Sequence, residues 1–88
     1  MAAPLIRLSI RWEAGAKTQL RGIDRETALD ILHCIDRFLL THTGDVKKLH
    51  GAKVRYRLRC GDYRIFFTPD SAAGIAVTAV LHRREAYR

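Results

Sequence analysis

The sequence predicts an α+β fold: a single small domain over residues 1–88, with an N-terminal strand, two helical segments and then three consecutive strands in an antiparallel meander, forming one sheet packed on the helices. Three observations predict it. Apolar residues alternate with a period of two near the N-terminus and again in runs after residue 52. Between residues 24 and 43 they recur at spacings of three and four. Gly61-Asp62 and the stretch TPDSAAG then separate the late runs with turn residues.

Over residues 5–12, Ile6, Leu8, Ile10 and Trp12 fall on one side of an extended chain and Arg7, Ser9 and Arg11 on the other, which is the pattern of a half-buried strand. In EAGAKTQLRGI, residues 13–23, Gly15 and Gly22 disfavour a helix interior while Ala14, Ala16 and Leu20 permit one short turn or two. Asp24 stands where an N-cap belongs, ahead of Ala28, Ile31, Leu32, Ile35, Phe38 and Leu39; this is the clearest helix, and it ends before Gly44. A solvated loop carrying Asp45, Lys47 and Lys48 follows. Residues 53–59, 63–68 and 75–81 read as strands.

At 88 residues the chain can build one core and no second domain, near the size at which folding buries about 60% of the surface of the unfolded chain. The apolar fraction of 48% is that of a globular protein, and 16 Lys+Arg against 9 Asp+Glu leave a formal charge of +7, which favours anionic partners such as nucleic acid or an acidic protein. Cys34 and Cys60 lie in apolar patterns outside any CxxC pair, and they read as reduced core residues rather than a disulfide framework or a metal site. Arg7 and Arg11 interrupt MAAPLIRLSIRW, which therefore has neither the apolar run of a signal peptide nor the length of a membrane span. The expectation is a soluble, cytoplasmic protein with no membrane partner.

The stretch RYRLRCGDYRIFF, residues 55–67, concentrates the chemistry. If Gly61-Asp62 is a two-residue turn, with Gly supplying positive φ at the first central position as type II′ requires, then Cys60 faces Tyr63, Arg59 faces Arg64, Leu58 faces Ile65, Arg57 faces Phe66 and Tyr56 faces Phe67. One face then holds Tyr56, Leu58, Cys60, Tyr63, Ile65 and Phe67, an apolar surface for the helix. The other holds Arg55, Arg57, Arg59, Arg64 and Phe66. Opposed like charges destabilise a strand pair by an amount similar to the roughly 0.2–1 kcal/mol of a favourable pair. The plainer reading is a solvated face that keeps the protein soluble; clustered charges that are all arginine and all of one sign favour an anion site.

The terminal HRREAYR, residues 82–88, follows the last strand directly. A last strand paired beside the hairpin delivers His82, Arg83, Arg84 and Tyr87 toward the arginine face. Phe66 is either a platform for a nucleobase or a residue covered by a neighbouring element. Lys47 and Lys48 extend the basic surface in an RNA-binding reading. Trp12 reads as core, and His33, His42 and His50 are scattered without metal-ligand spacing.

At these residues the chain resembles the RelE/ParE superfamily of bacterial toxin–antitoxin toxins: KKLHG before the strands, YRLRCGDYRIFF through the hairpin and LHRREAYR at the end, in the same order and spacing. The resemblance spans nearly the whole chain in layout, with its specific motifs in the second half, and is closer to RelE. It implies a toxin that cuts mRNA in the ribosomal A site with no metal and no cofactor, by attack of a ribose 2′-OH on the adjacent phosphate to leave a 2′,3′-cyclic phosphate and a 5′-OH. It also implies a cognate acidic antitoxin.

By the same resemblance, Arg64 matches the family's transition-state arginine, Arg83 a second phosphate-binding arginine, and Tyr87 a residue that stacks on a base or assists proton transfer. Arg57 and Arg59 fall where RelE carries two lysines. An arginine stabilises phosphate but is a poor general base. The base is therefore open among Tyr87, His82, Lys53 and the ribosomal RNA, while Arg55, Lys53, Arg84, Phe66, Lys47 and Lys48 are candidate RNA contacts. Two other functions fit the same layout: a ParE-like, non-enzymatic inhibitor of DNA gyrase, and an inactive basic RNA-binding module.

Overall fold

A computed structural model describes residues 10–86. The element order is β1 (Ile10–Trp12), α1 (Ala14–Arg21), α2 (Arg25–Thr41), β2 (Val46–Leu49), β3 (Arg55–Cys60), β4 (Tyr63–Asp70), β5 (Gly74–His82) and α3 (Arg83–Ala86). The first part of the strand expected over residues 5–12 lies outside the described residues, and so does Tyr87.

The class is the expected α+β sheet on helices, with more strands in the sheet. The order is β1-β5-β4-β3-β2, parallel between β1 and β5 and antiparallel elsewhere. Residues 46–49, expected as a loop, form the edge strand β2 against β3, with Val46 opposite Leu58 and Lys47 opposite Arg57. Pairing with the hairpin, rather than any apolar period of its own, makes VKKL a strand: only Leu49 is even partly buried. Strand β3 starts at Arg55, so Lys53 and Val54 precede the ladder.

Helix α2 forms where its capping and periodicity place it. The Asp24 carboxylate accepts the Thr27 N–H at 3.1 Å, and Glu26 complements the dipole in the first turn. Ile31 and Ile35 are buried, with Phe38 and Leu39 packed at the margin. The helix stops at His42, which takes a left-handed φ of 56° while its N–H bonds the Phe38 carbonyl. Helix α1 runs for two turns, and Gly15 and Gly22 fall at its two ends, where the cost of glycine is smallest.

The helices cover one face of the sheet. There Ala16, Ile31 and Ile35 meet Leu58, Cys60, Ile65, Phe67, Ile75, Val77 and Val80, with Tyr56 and Tyr63 packed alongside. Val77 and Val80 stand three residues apart, a spacing that a regular strand would divide between opposite faces. A bulge resolves this: Phe66 opposes Ala79 and Phe67 opposes Val77, so Thr78 is the extra residue, and its hydroxyl bonds the Phe66 carbonyl at 3.3 Å. Cys34 of α2 and Cys60 of β3 are joined in a disulfide across the core, which corrects the expectation of two reduced thiols. Residues 26 apart in sequence carry no spacing signal for such a pair; only the packing of α2 on β3 brings them together. Among the described residues no helix is long and apolar enough to cross a membrane.

Candidate anion-binding hairpin

The hairpin pairs in the register that the two-residue turn dictates: Cys60 with Tyr63, Arg59 with Arg64, Leu58 with Ile65, Arg57 with Phe66 and Tyr56 with Phe67. Gly61 takes φ of 60°, a conformation most side chains avoid. Strand parity then sends Arg55, Arg57, Arg59, Arg64 and Phe66 to the face away from the helices. Lys47, opposite Arg57, and Arg11, opposite Ala76, join that face from the neighbouring strands. The open face is thus a field of cations crossing four strands.

Arg64 is 5% exposed and sits next to the turn of this hairpin. Its Nη1 donates to the Gly61 carbonyl at 2.9 Å and to the Tyr63 carbonyl at 3.0 Å, so the guanidinium curls back over the turn. Arg83 is tied to the same turn: its N–H donates to the Asp62 carbonyl at 2.7 Å, and its Nε lies 3.9 Å from the Asp62 carboxylate. Helix α3 packs on β5 and β4, and this brings residues 83–86 to the hairpin. One turn therefore holds two arginines that are 19 residues apart in sequence. Fixed cations at a site drawn in by backbone carbonyls are what a phosphate bearing extra negative charge requires.

The remaining candidates divide by position. Lys53 and Arg55 line an open depression of about 830 Å³ with Thr68, Thr78 and Ala79, on the open side of the sheet. The Arg55 guanidinium lies 5.8 Å from the centre of the Phe66 ring, and Phe66 is 8% exposed; its ring is covered by a cation of its own chain. His82 is opposite Tyr63, on the helix-facing side, with the two rings edge to face at 5.4 Å. Its Nδ1 accepts the Arg84 N–H at 3.2 Å. The structure does not bring His82 to the arginine face. Lys48, opposite Tyr56, also points to the helix side, while Arg84 is exposed on α3.

Acidic partners missed in the sequence temper the field. Asp45 lies 3.7 Å from Arg59, and Asp70 3.2 Å from Arg11. Both contacts are at the surface and screened by water, and each contributes little. The Asp70 carboxyl is nonetheless held below the usual aspartate range, first by the Ala73 N–H at 2.9 Å, with burial opposing and Arg11 adding to the lowering. Arg11 is legible as the polar side of the first strand; its place on the open face of the same sheet needs the parallel pairing of β1 with β5.

Comparison with known proteins bears on this arrangement. The model of the family described as the ParE toxin of the type II toxin–antitoxin system parDE matches residues 10–87. No curated protein matches. Among solved structures, the chain is similar to the archaeal RelE–RelB complex from Pyrococcus horikoshii OT3, with a TM-score of 0.70 and 20% identity over 89% of this chain and 97% of that one. It is similar to the RelB–RelE antitoxin–toxin complex from Methanococcus jannaschii, with a TM-score of 0.68 and 23% identity over 88% and 94%. The toxin–antitoxin complex RelBE2 from Mycobacterium tuberculosis matches with a TM-score of 0.58 and 21% identity over 85% and 96%.

Proposed function

Because this chain belongs to the ParE toxin family of type II toxin–antitoxin systems, within the RelE/ParE superfamily, we propose that it acts as a ribosome-dependent endoribonuclease that stops translation by cutting mRNA. The observation that carries this reading is the single turn anchoring both Arg64 and Arg83 beside the arginine ladder. In the proposed step a ribose 2′-OH attacks the adjacent phosphorus, the bond to the 5′ oxygen of the next nucleotide breaks, and a 2′,3′-cyclic phosphate and a 5′-OH result. Arg64 and Arg83 stabilise the charge on the phosphorane oxygens, and Arg57 and Arg59 add to the local potential. Arginine does not take the 2′-OH proton at neutral pH. With His82 on the other side of the sheet, that task falls to Lys53, Tyr87 or the ribosome. The RNA strand is read by Arg55, Lys53 and Lys47 along the open face, with Arg84 at its end.

An acidic antitoxin is the proposed protein partner. The similar structures are complexes of RelE with RelB, and a chain of charge +7 favours a partner of opposite sign.

The test is cell-free translation with purified protein, with mRNA 5′ ends mapped by primer extension. Cuts at A-site codons are expected from the wild type and are lost in Arg64→Ala and in Arg83→Ala. Arg83 is exposed, so its variant keeps the fold even if loss of buried Arg64 does not. Intact mRNA with the wild type would sink the reading. The match to a ParE family model favours a second one, a non-enzymatic inhibitor of DNA gyrase; loss of supercoiling activity in the presence of this protein, with mRNA intact, is its signature.

A further inference from the structure

We infer that the Cys34–Cys60 disulfide is a thiol-exchange site, opened by a glutathione-class thiol while the protein stays folded, and that its state controls the order of the turn holding Arg64 and Arg83. The significance given to that turn rests on the nuclease reading above; the exchange chemistry does not.

Three consecutive residues carry the coupling. Cys60 bears the bond to α2, the Gly61 carbonyl accepts the Arg64 guanidinium, and Asp62 holds Arg83. The disulfide is thus the covalent tie between the hairpin tip and the middle of helix α2. Beyond Cys60 the chain turns through exposed Gly61 and Asp62, where a side chain at Gly61 would meet no neighbour within 4 Å. Without the disulfide, strand pairing and the polar contacts of Arg64 and Arg83 hold the tip, and ends of ladders open most readily.

The second observation is access. A cavity of about 450 Å³ is lined by Cys34 and Cys60 together with Asp30, Gly61, Tyr63 and His82. Cys60 is 7% exposed, whereas Cys34 is half-buried. An incoming thiolate therefore meets Cys34 Sγ first. It forms a mixed disulfide there as the Cys34–Cys60 bond breaks, and the electron pair leaves on Cys60 Sγ, which takes a proton from water. A second thiol attacks the mixed disulfide at the sulfur of the first, releasing the thiol's own disulfide and Cys34 as thiol. Two thiols lose two electrons and two protons, and the protein gains both pairs. The net charge of the chain attracts an anionic tripeptide thiol to the site.

The experiment uses the full oxidised chain in reduced glutathione without denaturant. Free thiols are counted by alkylation and mass spectrometry, and amide hydrogen exchange is followed at residues 60–64. Opening is expected about tenfold or more faster than global unfolding, with exchange at the turn rising about tenfold on reduction while α2 stays protected. The Cys34→Ser, Cys60→Ser double variant should exchange like reduced wild type and ignore glutathione. Reduction no faster than global unfolding, or a turn equally protected in both states, would overturn the proposal. Absence of mRNA cleavage in either redox state would instead strike the nuclease reading and leave the thiol and exchange results to judge this one.

Discussion

Gln19 Oε1 accepts a hydrogen bond of 2.7 Å from the backbone N–H of Val80, tying helix α1 to strand β5 just past its bulge. The pairing of β1 with β5 ends at Trp12 and Val77, and beyond it the side chain of Gln19 supplies the acceptor for the Val80 N–H. Val80 is 3% exposed, so its donor has no easy recourse to water. Gln19→Leu should therefore lower stability by about 1–3 kcal/mol, whereas Gln19→Glu keeps an acceptor and should lose less. Chemical denaturation of the two variants at constant m-value measures the difference.

Two surface aspartates predict the acid limb of the stability curve. Asp24 is held below its usual value of 3.8 by its hydrogen bonds to Thr27, and Asp70 by Ala73 and then Arg11. A carboxyl whose folded value is depressed releases its proton more readily in the folded state than in the unfolded one. Its contribution is then complete above the unfolded value and disappears as pH falls through the folded value. The Asp24→Ala, Asp70→Ala double variant should melt lower than wild type near neutrality, with the gap closing below about pH 4. A gap that stays constant from neutrality to acid would contradict the assignment.

Arg64 offers a discrimination between charge and geometry. A lysine there keeps the positive charge but cannot reproduce a planar guanidinium donating to both the Gly61 and Tyr63 carbonyls. Arg64→Lys is expected to reduce cleavage by about 10²–10³, close to the loss in Arg64→Ala, since a misplaced charge stabilises the transition state poorly. Recovery of most activity in the lysine variant would mean that charge alone suffices.

His42 closes α2 in a left-handed conformation that costs a residue with a Cβ roughly 1–2 kcal/mol. Its side chain is exposed, and nothing in its contacts requires an imidazole. His42→Gly should raise stability by about 0.5–1 kcal/mol after the greater freedom of glycine in the unfolded chain is counted. Thermal unfolding of that variant, with a higher midpoint and unchanged circular dichroism, checks the cap.

Where sequence and structure agree, the determinant is local. The two-residue turn at Gly61-Asp62 sets the register of the hairpin, and strand parity then allots Leu58, Ile65 and Phe67 to the core and the arginines to the open face. The capping of α2 by Asp24 and the spacing of its apolar residues are equally local. Strand parity also bears on His82, whose place opposite Tyr63 on the helix side follows only once the register between β4 and β5 is known.

The sequence by itself determined the α+β class, the clearest helix, the hairpin register and the concentration of arginine on one sheet face, because periodicity and turn chemistry act over a few residues. Only the tertiary structure decided the rest. VKKL becomes a strand because β3 offers it an unpaired edge, and Val77 and Val80 share the core because a bulge rephases β5. Cys34 meets Cys60, and Arg83 meets the turn that holds Arg64, across separations that no local pattern encodes. Such contacts are products of the packing of whole elements, whose positions depend on the rest of the chain at once.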